Sequence, residues 1–324
     1  MKVLVTGAAG FIGSNLAAKL ARRGDIVVGL DNFNDYYDPA RKRRNEQHLA
    51  THANFRMVEA DIRDRQTLFD LFEQEKFDAV AHLAAMAGVR RAIADPELYV
   101  QVDYNGTQNL LDAARAWSVG NFVFASTSSV YGNTRQIPFV ETDACDRPLQ
   151  PYAAAKRAAE MLGFTYQHLF GLNFTAIRFF TVYGPNGRPD MMAYLVADSI
   201  TKGTPVPLYE GGEMWRDWTF VEDITDGVAA ALDRPLGYEI INVGRGEPVL
   251  LKDFVGILQE LAGQEANLLP APKLSADVIR TYADISKARR LLDYQPKVSV
   301  REGVEIFWQW YQQQDGNSPF GLSR

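Results

Sequence analysis

The segment Val3-Leu4-Val5-Thr6-Gly7-Ala8-Ala9-Gly10-Phe11-Ile12-Gly13 constrains the fold more than any other stretch of the chain. An apolar run leads into a turn with glycine at 7, 10 and 13, and an amphipathic helical stretch, Ile12–Arg23, follows. Glycine lets the backbone bend sharply and come close to a pyrophosphate. The helix N-terminus then offers free N–H groups and a favourable dipole to that anion. Three glycines in a G-x-x-G-x-x-G spacing also suit a plain tight turn. The second apolar run, Ile26–Leu30, tips the balance because it ends at Asp31, eighteen residues past Gly13. A carboxylate there accepts hydrogen bonds from the adenosine ribose and repels a 2′-phosphate, which predicts NAD rather than NADP.

The rest of the N-terminal half continues the pattern. Further strands are expected at Phe55–Glu59, Ala79–Leu83, Phe122–Ala125 and Thr175–Phe179, all apolar with little alternation, as strands buried on both faces should be. Helical stretches at Leu98–Trp117 and Ala153–Phe170 complete a βα repeat. This predicts an α/β fold, a doubly wound parallel Rossmann sheet over residues 1–180. After Gly184-Pro185, proline and glycine become frequent. A short strand signal (Ile240–Val243) mixes with helices at Ile224–Asp233, Asp253–Leu261 and Val300–Gln312. Residues 181–324 are therefore expected to form a smaller α/β substrate lobe interleaved with the first. In the sheet frame Asp61-Ile62 are placed to border the adenine, and Leu83-Ala84-Ala85 to leave room for the dinucleotide, although either segment also suits loop packing. The basic run Arg41–Arg44 reads as a solvated helix face, with a position near a ligand phosphate as the alternative.

Composition narrows the function. At 324 residues and 47% hydrophobic content the chain can bury a large core. A net charge of −6 argues against nucleic acid or an anionic membrane surface. The single cysteine, Cys145, allows no intrachain disulfide, and His48, His52, His82 and His168 show no ligand spacing, so no metal is expected. The first apolar run is too short for a signal peptide or a membrane span, and a cytoplasmic location is expected.

Two motifs carry chemistry. Tyr152-Ala153-Ala154-Ala155-Lys156 places a phenol and an ammonium at i and i+4, on one helix face. Tyrosine, with a reference pKa of about 10, is a poor base at neutral pH, and a neighbouring cation favours the phenolate. Ser126-Thr127-Ser128-Ser129-Val130-Tyr131-Gly132 directly follows the fifth strand, so its hydroxyls are expected at the C-terminal sheet edge, beside a bound nicotinamide. Thr127 or a neighbouring serine can there hydrogen-bond the reacting oxygen and share its proton with Tyr152.

Over essentially its whole length the chain resembles the extended short-chain dehydrogenases, the NAD-dependent epimerase/dehydratase superfamily, and within them the UDP-glucuronate 4-epimerase subgroup. The resemblance is carried by residues 31–38 (DNFNDYYD), 82–90 (HLAAMAGVR), 178–191 (RFFTVYGPNGRPDM), 216–224 (RDWTFVEDI) and 283–288 (ADISKA). It implies an NAD-dependent isomerase that oxidises C4 of a UDP-sugar, turns the 4-keto intermediate and reduces its other face. Thr127, Tyr152 and Lys156 match the catalytic residues. The implied cofactor set is Gly7, Gly10, Phe11, Ile12, Gly13, Asp31, Asn32, Asp61, Ile62, Leu83, Ala84, Ala85 and Phe179, with Tyr152 and Lys156. Ser128, Ser129 and Thr181, with Arg188 nearby, fall where the subgroup holds the sugar carboxylate. Arg90, Arg216 and Asp277 are further implied substrate contacts, the last two at the nucleotide diphosphate and ribose. A homodimer is implied through the helices Leu98–Trp117 and Ala153–Phe170.

Met86, Arg91 and Trp218 depart from the subgroup's pattern, where a glutamine, an aromatic residue and a phenylalanine stand. Related dehydratases carry Asp-Glu after the catalytic threonine, and related decarboxylases a glutamate at the Ser129 position and an asparagine at that of Thr181. The serines here favour epimerisation; another UDP-sugar 4-epimerase or a UDP-glucuronate decarboxylase remains the alternative.

Overall fold

The computed structural model describes residues 1–272 and 278–314, with the side chains of Val89 and Arg90 excepted. The N-terminal half runs β1 (Lys2–Thr6), α1 (Phe11–Arg23), β2 (Ile26–Asp31), α2 (Pro39–Leu49), β3 (Phe55–Glu59), α3 (Arg65–Glu75) and β4 (Ala79–His82). It continues through α4 (Val89–Ala94), α5 (Pro96–Tyr99), α6 (Thr107–Ala116), β5 (Asn121–Thr127), α7 (Pro151–Phe170) and β6 (Phe174–Phe179). Seven parallel strands form the main sheet in the order Tyr238–Val243, β6, β5, β4, β1, β2, β3. The edge strand Tyr238–Val243 pairs along β6 from Phe174 to Phe179, so the main sheet takes a strand from well beyond residue 180.

Alternation along each strand explains why the sheet is covered on both sides. Val3 and Val5 face one core, with α1 and the helix Val221–Leu232, while Leu4 faces the other, with α3, α6 and α7. Ala79 and Ala81 against Val80, and Val123 against Phe122 and Phe124, repeat the split. A strand with apolar side chains on both faces has no solvent side, which suits a parallel sheet wrapped by crossover helices. A third core gathers Tyr183, Trp218, Phe254 and Phe307, where the Trp218 and Phe254 rings stack at 3.9 Å. It holds together the short strands and helices of the C-terminal lobe.

One expected helix is not continuous. Between Leu98 and Trp117 the chain runs through α5, a wide π-helical turn at Val100–Gly106, and α6. The Thr107 hydroxyl donates to the Asp103 carbonyl at 2.7 Å, capping backbone within the wide turn. Val102 and Asp103 are consequently turned inward and buried.

Candidate active site

The glycine turn closes over β2. Gly7 and Ala8 donate their N–H groups to the Leu30 carbonyl at 2.7 and 3.2 Å, and Gly7 holds a positive φ of 69°. A Cβ on Gly13 would stand 2.0 Å from the Gly7 carbonyl oxygen, so helix and turn approach too closely for any side chain. Gly10 caps α1 without a side-chain acceptor, leaving the first amides of the helix to face the cleft. Gly7, Gly10, Phe11, Ile12 and Gly13 line this cleft with Asp31, Asn32, Asp61, Ile62, Leu83, Ala84, Ala85, Tyr152, Lys156 and Phe179. The structure thus brings the expected cofactor residues into one groove.

Asp31 is buried at one end of this groove. One carboxylate oxygen accepts the Ala9 N–H at 3.2 Å; the other accepts the Phe33 N–H at 2.9 Å and the Lys42 ammonium at 3.1 Å. The basic run is therefore not the solvated face expected of it. Lys42 is buried on Asp31 and also reaches Asn34, while the Arg43 guanidinium lies 3.5 Å from the Phe33 ring centre. Arg41 stacks on Tyr194, and Arg44 alone of the four is exposed. The helix is turned this way because a buried carboxylate needs a cation. Asn32 donates to Asp61, whose carboxyl is held down to about 2, chiefly by the hydrogen-bonded Arg63 guanidinium.

At the other end β5 delivers Thr127, whose Oγ1 accepts the Ser129 N–H at 3.2 Å and caps the short 3-10 turn Ser128–Tyr131. α7 starts beside it, with Pro151 in its first turn and the Gln150 side chain accepting the Ala153 N–H. Tyr152 and Lys156 then both face the cleft, while the Tyr99 ring meets Tyr152 edge-on at 6.1 Å. Burial pushes the Tyr152 phenol up, helped by the charge of Asp103; Arg188 and the Thr127 hydroxyl pull it back down. Burial lowers Lys156, and the carboxylates of Asp103 and Glu160 oppose that shift. Behind the site Glu160 accepts Ser126 Oγ at 2.6 Å, Arg178 Nε at 2.9 Å and Arg157 at 3.0 Å. One carboxylate thereby ties the end of β5 to α7 and β6, fixing Thr127 relative to Tyr152.

A second cleft opens from the first toward the C-terminal lobe. Thr181, Arg188, Arg216, Arg91 and Trp218 line it, and Phe11, Tyr36 and Arg188 belong to both clefts. Thr181 and Trp218 are register partners in a two-stranded parallel ladder. Arg216 is set by its neighbour Asp217, which is buried and accepts N–H groups from Arg245, Gly246 and Ala283. Arg188 pairs with Asp190 at 2.9 Å, and Asp190 also accepts the Tyr36 hydroxyl. Thr127, Ser128 and Ser129 lie outside the described lining of both clefts, with Ser129 accepting from Thr127 at 3.2 Å. Met86 is core, its N–H donated to Asp103. Asp277 and the Arg90 side chain lie outside the described residues.

Sequence reasoning read Lys42 only as part of the basic run Arg41–Arg44, and assigned no role to Asn34, Tyr36, Tyr37 or Asp103. The first four line the cofactor cleft and come from the segment after β2, whose irregular loop and weakly amphipathic helix carry no periodic signal. Among the described residues no group of three or more His, Cys, Asp or Glu could hold a metal ion, and no helix is long and apolar enough to cross a membrane.

Comparison with known proteins agrees with this geometry. The chain is 42% identical over 308 residues to a UDP-glucuronate 4-epimerase of Thermodesulfobacterium geofontis, covering 95% of each protein. The crystal structure of UDP-glucuronic acid 4-epimerase from Bacillus cereus in complex with UDP-glucuronic acid and NAD superposes with a TM-score of 0.91 at 35% identity, covering 97% of this chain and 99% of that one. A dTDP-glucose 4,6-dehydratase of Streptomyces venezuelae, DesIV, reaches 0.90 at 30% identity, covering 98% of each chain, so backbone similarity alone does not choose the reaction. The model of the NAD dependent epimerase/dehydratase family matches residues 3–244, and the chain belongs to that family.

Proposed function

We propose that the protein interconverts UDP-glucuronate and UDP-galacturonate by inverting C4 of the uronate, with NAD as its cofactor. The observation that carries this reading is the Tyr152/Lys156 pair facing the cleft beside Thr127, followed by two serines where acid–base carboxylates would be needed for elimination. The Bacillus cereus relative, crystallised with UDP-glucuronic acid and NAD, supports the substrate and the cofactor.

The chain fits NAD on its own evidence. The close approach of Gly13 to Gly7 leaves a side-chain-free cradle, the first amides of α1 are unclaimed by a cap, and the buried Lys156 ammonium has no protein hydrogen-bond partner. Asp31 would hold the adenosine ribose, the glycine turn the pyrophosphate, and Tyr152, Lys156 and Phe179 the nicotinamide end. When bound, NAD supplies an acceptor and then a donor for the C4 hydride.

The residues of the chain do the rest. Tyr152 takes the proton of the C4 hydroxyl and later returns it on the opposite face, and Thr127 shares that hydrogen bond. Burial holds the phenol protonated, and the positive charge of Arg188 and the Thr127 hydroxyl pull it back toward the phenolate. The 4-keto sugar turns about its bond to the diphosphate, which Arg216 anchors, with Asp277 at the nucleotide ribose and Arg90 a further contact. A 4-keto uronate is a β-keto acid and loses CO₂ readily. Ser128, Ser129 and Thr181, with Arg188, hold the carboxylate near the ketone plane and so discourage that loss.

The working unit is a homodimer in a reducing, cytoplasmic setting. Met161, Phe164 and Leu169 on α7 are 51–61% exposed, apolar groups that suit a second copy. Incubation with UDP-glucuronate, followed by NMR of the sugar, tests the reaction. UDP-galacturonate without net NADH is the expected result, and UDP-xylose or a 4-keto-6-deoxy sugar overturns it.

A further inference from the structure

Among the described residues the wall behind Tyr152 contains two buried polar groups that nothing in the protein satisfies. Asp103, fully buried, uses one carboxylate oxygen to accept the Met86 N–H at 2.8 Å; its other oxygen has no partner. Lys156 is 1% exposed, and its ammonium has no hydrogen-bond partner, only the face of Phe124 at 4.7 Å. An unpaired charge in such a place is costly, and two of opposite sign relieve each other. The wide turn carrying Asp103 packs directly on α7, and this turn is what turns the carboxylate inward. No direct hydrogen bond joins the two groups, but each lies close enough to act on the other's charge.

We propose that Asp103 is the counter-ion of Lys156, a positioning residue that keeps the lysine charged and directed at Tyr152. This rests on the reading of Tyr152 and Lys156 as the acid–base pair. The other groups around them are committed elsewhere. Glu160, four residues along α7, is occupied by Ser126, Arg157 and Arg178. His82 on β4 is bonded by both ring nitrogens, to Thr6 and Thr107, and burial keeps it neutral. The Tyr99 hydroxyl donates to the carbonyls of Ala87 and Gly88. Among the described residues Asp103 is thus the carboxylate beside Lys156 that keeps an oxygen without a partner. Burial pushes it up to about 6, with Lys156 pulling the other way, so it is charged at neutral pH and becomes protonated in mild acid. Its charge also raises the Tyr152 phenol. The same carboxylate therefore holds the lysine positive and delays the phenolate, which sets both edges of the working pH range.

Asp103→Asn keeps the size and the acceptor for the Met86 N–H while removing the charge. Tyr152 should then ionise, and Lys156 lose its proton, at lower pH. Both limbs of the kcat profile with UDP-glucuronate move down by about one pH unit, within the range that one nearby charge produces, and KM stays put. A profile superimposable on that of the wild type, or a change in KM alone, overturns the proposal. Should the wild type leave UDP-glucuronate untouched, the proposed reaction falls, and tyrosinate absorbance still judges Asp103. With Tyr152→Phe marking the signal in the holoenzyme, the Tyr152 midpoint should drop by the same amount in Asp103→Asn, and an unmoved midpoint rejects the pairing. Thermal stability supplies the structural control. Lys156→Met should lower the melting temperature near pH 8, and adding Asp103→Asn should restore it; strictly additive effects count against a pair.

Discussion

The cofactor cleft and the sugar cleft share a wall but are built in different ways. The first is made largely of backbone: a glycine turn, the free amides of α1, and small residues at the ends of parallel strands. Its glycine turn and helix amides follow one another within one strand–turn–helix unit, while Leu83, Tyr152, Lys156 and Phe179 come from later elements. The second is made of side chains on separate segments, with Thr181, Arg188, Arg216 and Trp218 brought together by short ladders and by the hub at Asp217. A backbone site tolerates no bulk, whereas a side-chain site can be changed one group at a time. Substitutions in the two clefts should accordingly fail differently.

The sharpest separation is expected where the clefts meet. Tyr152→Phe removes the proton carrier and leaves the ring in place, so turnover should fall by about 10³-fold or more while NAD still copurifies. Activity close to wild type would show that another group moves the proton. Next comes Gly13→Val, which drives a branched side chain into the Gly7 carbonyl. Protein that folds at all should emerge without NAD, and a stable, NAD-loaded variant would mean that the cradle is not made of backbone. Arg216→Ala is the counterpart in the other cleft. Losing a charged hydrogen bond to a diphosphate should raise KM by about ten- to a hundredfold, with NAD retained. Loss of NAD instead would erase the distinction drawn here. A smaller effect belongs to Lys42→Met. Without its ammonium, Asp31 is more negative to an approaching 2′-phosphate, and the preference for NAD over NADP in protein stripped of cofactor should rise by about three- to tenfold. An unchanged ratio would make Lys42 purely structural.

pH supplies the mildest probe. The Asp61 carboxyl is lowered from 3.8 to about 2, so its contribution to stability is complete above pH 3.8 and is lost as pH falls toward 2. The melting temperature of Asp61→Asn should lie slightly below that of the wild type at pH 6, and the gap should begin to close below pH 4.

The same contrast explains what could be read in advance. β1 to β6 appear within two residues of their expected ends because most are apolar on both faces, a pattern that a covered parallel sheet satisfies, although the edge strand β3 carries exposed Arg56 and Glu59. The glycine turn was legible because its backbone demands are local. The wide turn at Val100–Gly106 was not, since it only offsets the apolar period between two helical stretches that read as one helix. Lys42 was hidden for another reason. Its partner Asp31 sits on a different element, and a single buried lysine in a basic run looks like its exposed neighbours. In the sugar cleft, Arg216 and Thr181 were reachable through family resemblance, because nothing in their local spacing says that they converge.

Phe11, Tyr36 and Arg188 line both clefts at once. A wall with a guest on either side links the two occupancies: whatever free energy the sugar nucleotide gains when the dinucleotide settles that wall, the dinucleotide gains in return. Where that coupling is favourable, the dinucleotide is held more tightly when the sugar nucleotide is abundant, a useful bias in a reaction that returns its cofactor unchanged. The reciprocal burden falls on adaptation. A substitution at Tyr36 or Arg188 selected to admit a different sugar also alters the hold on the dinucleotide, so new specificity is reached more cheaply through Arg91, Thr181 or Trp218, which line the sugar cleft alone.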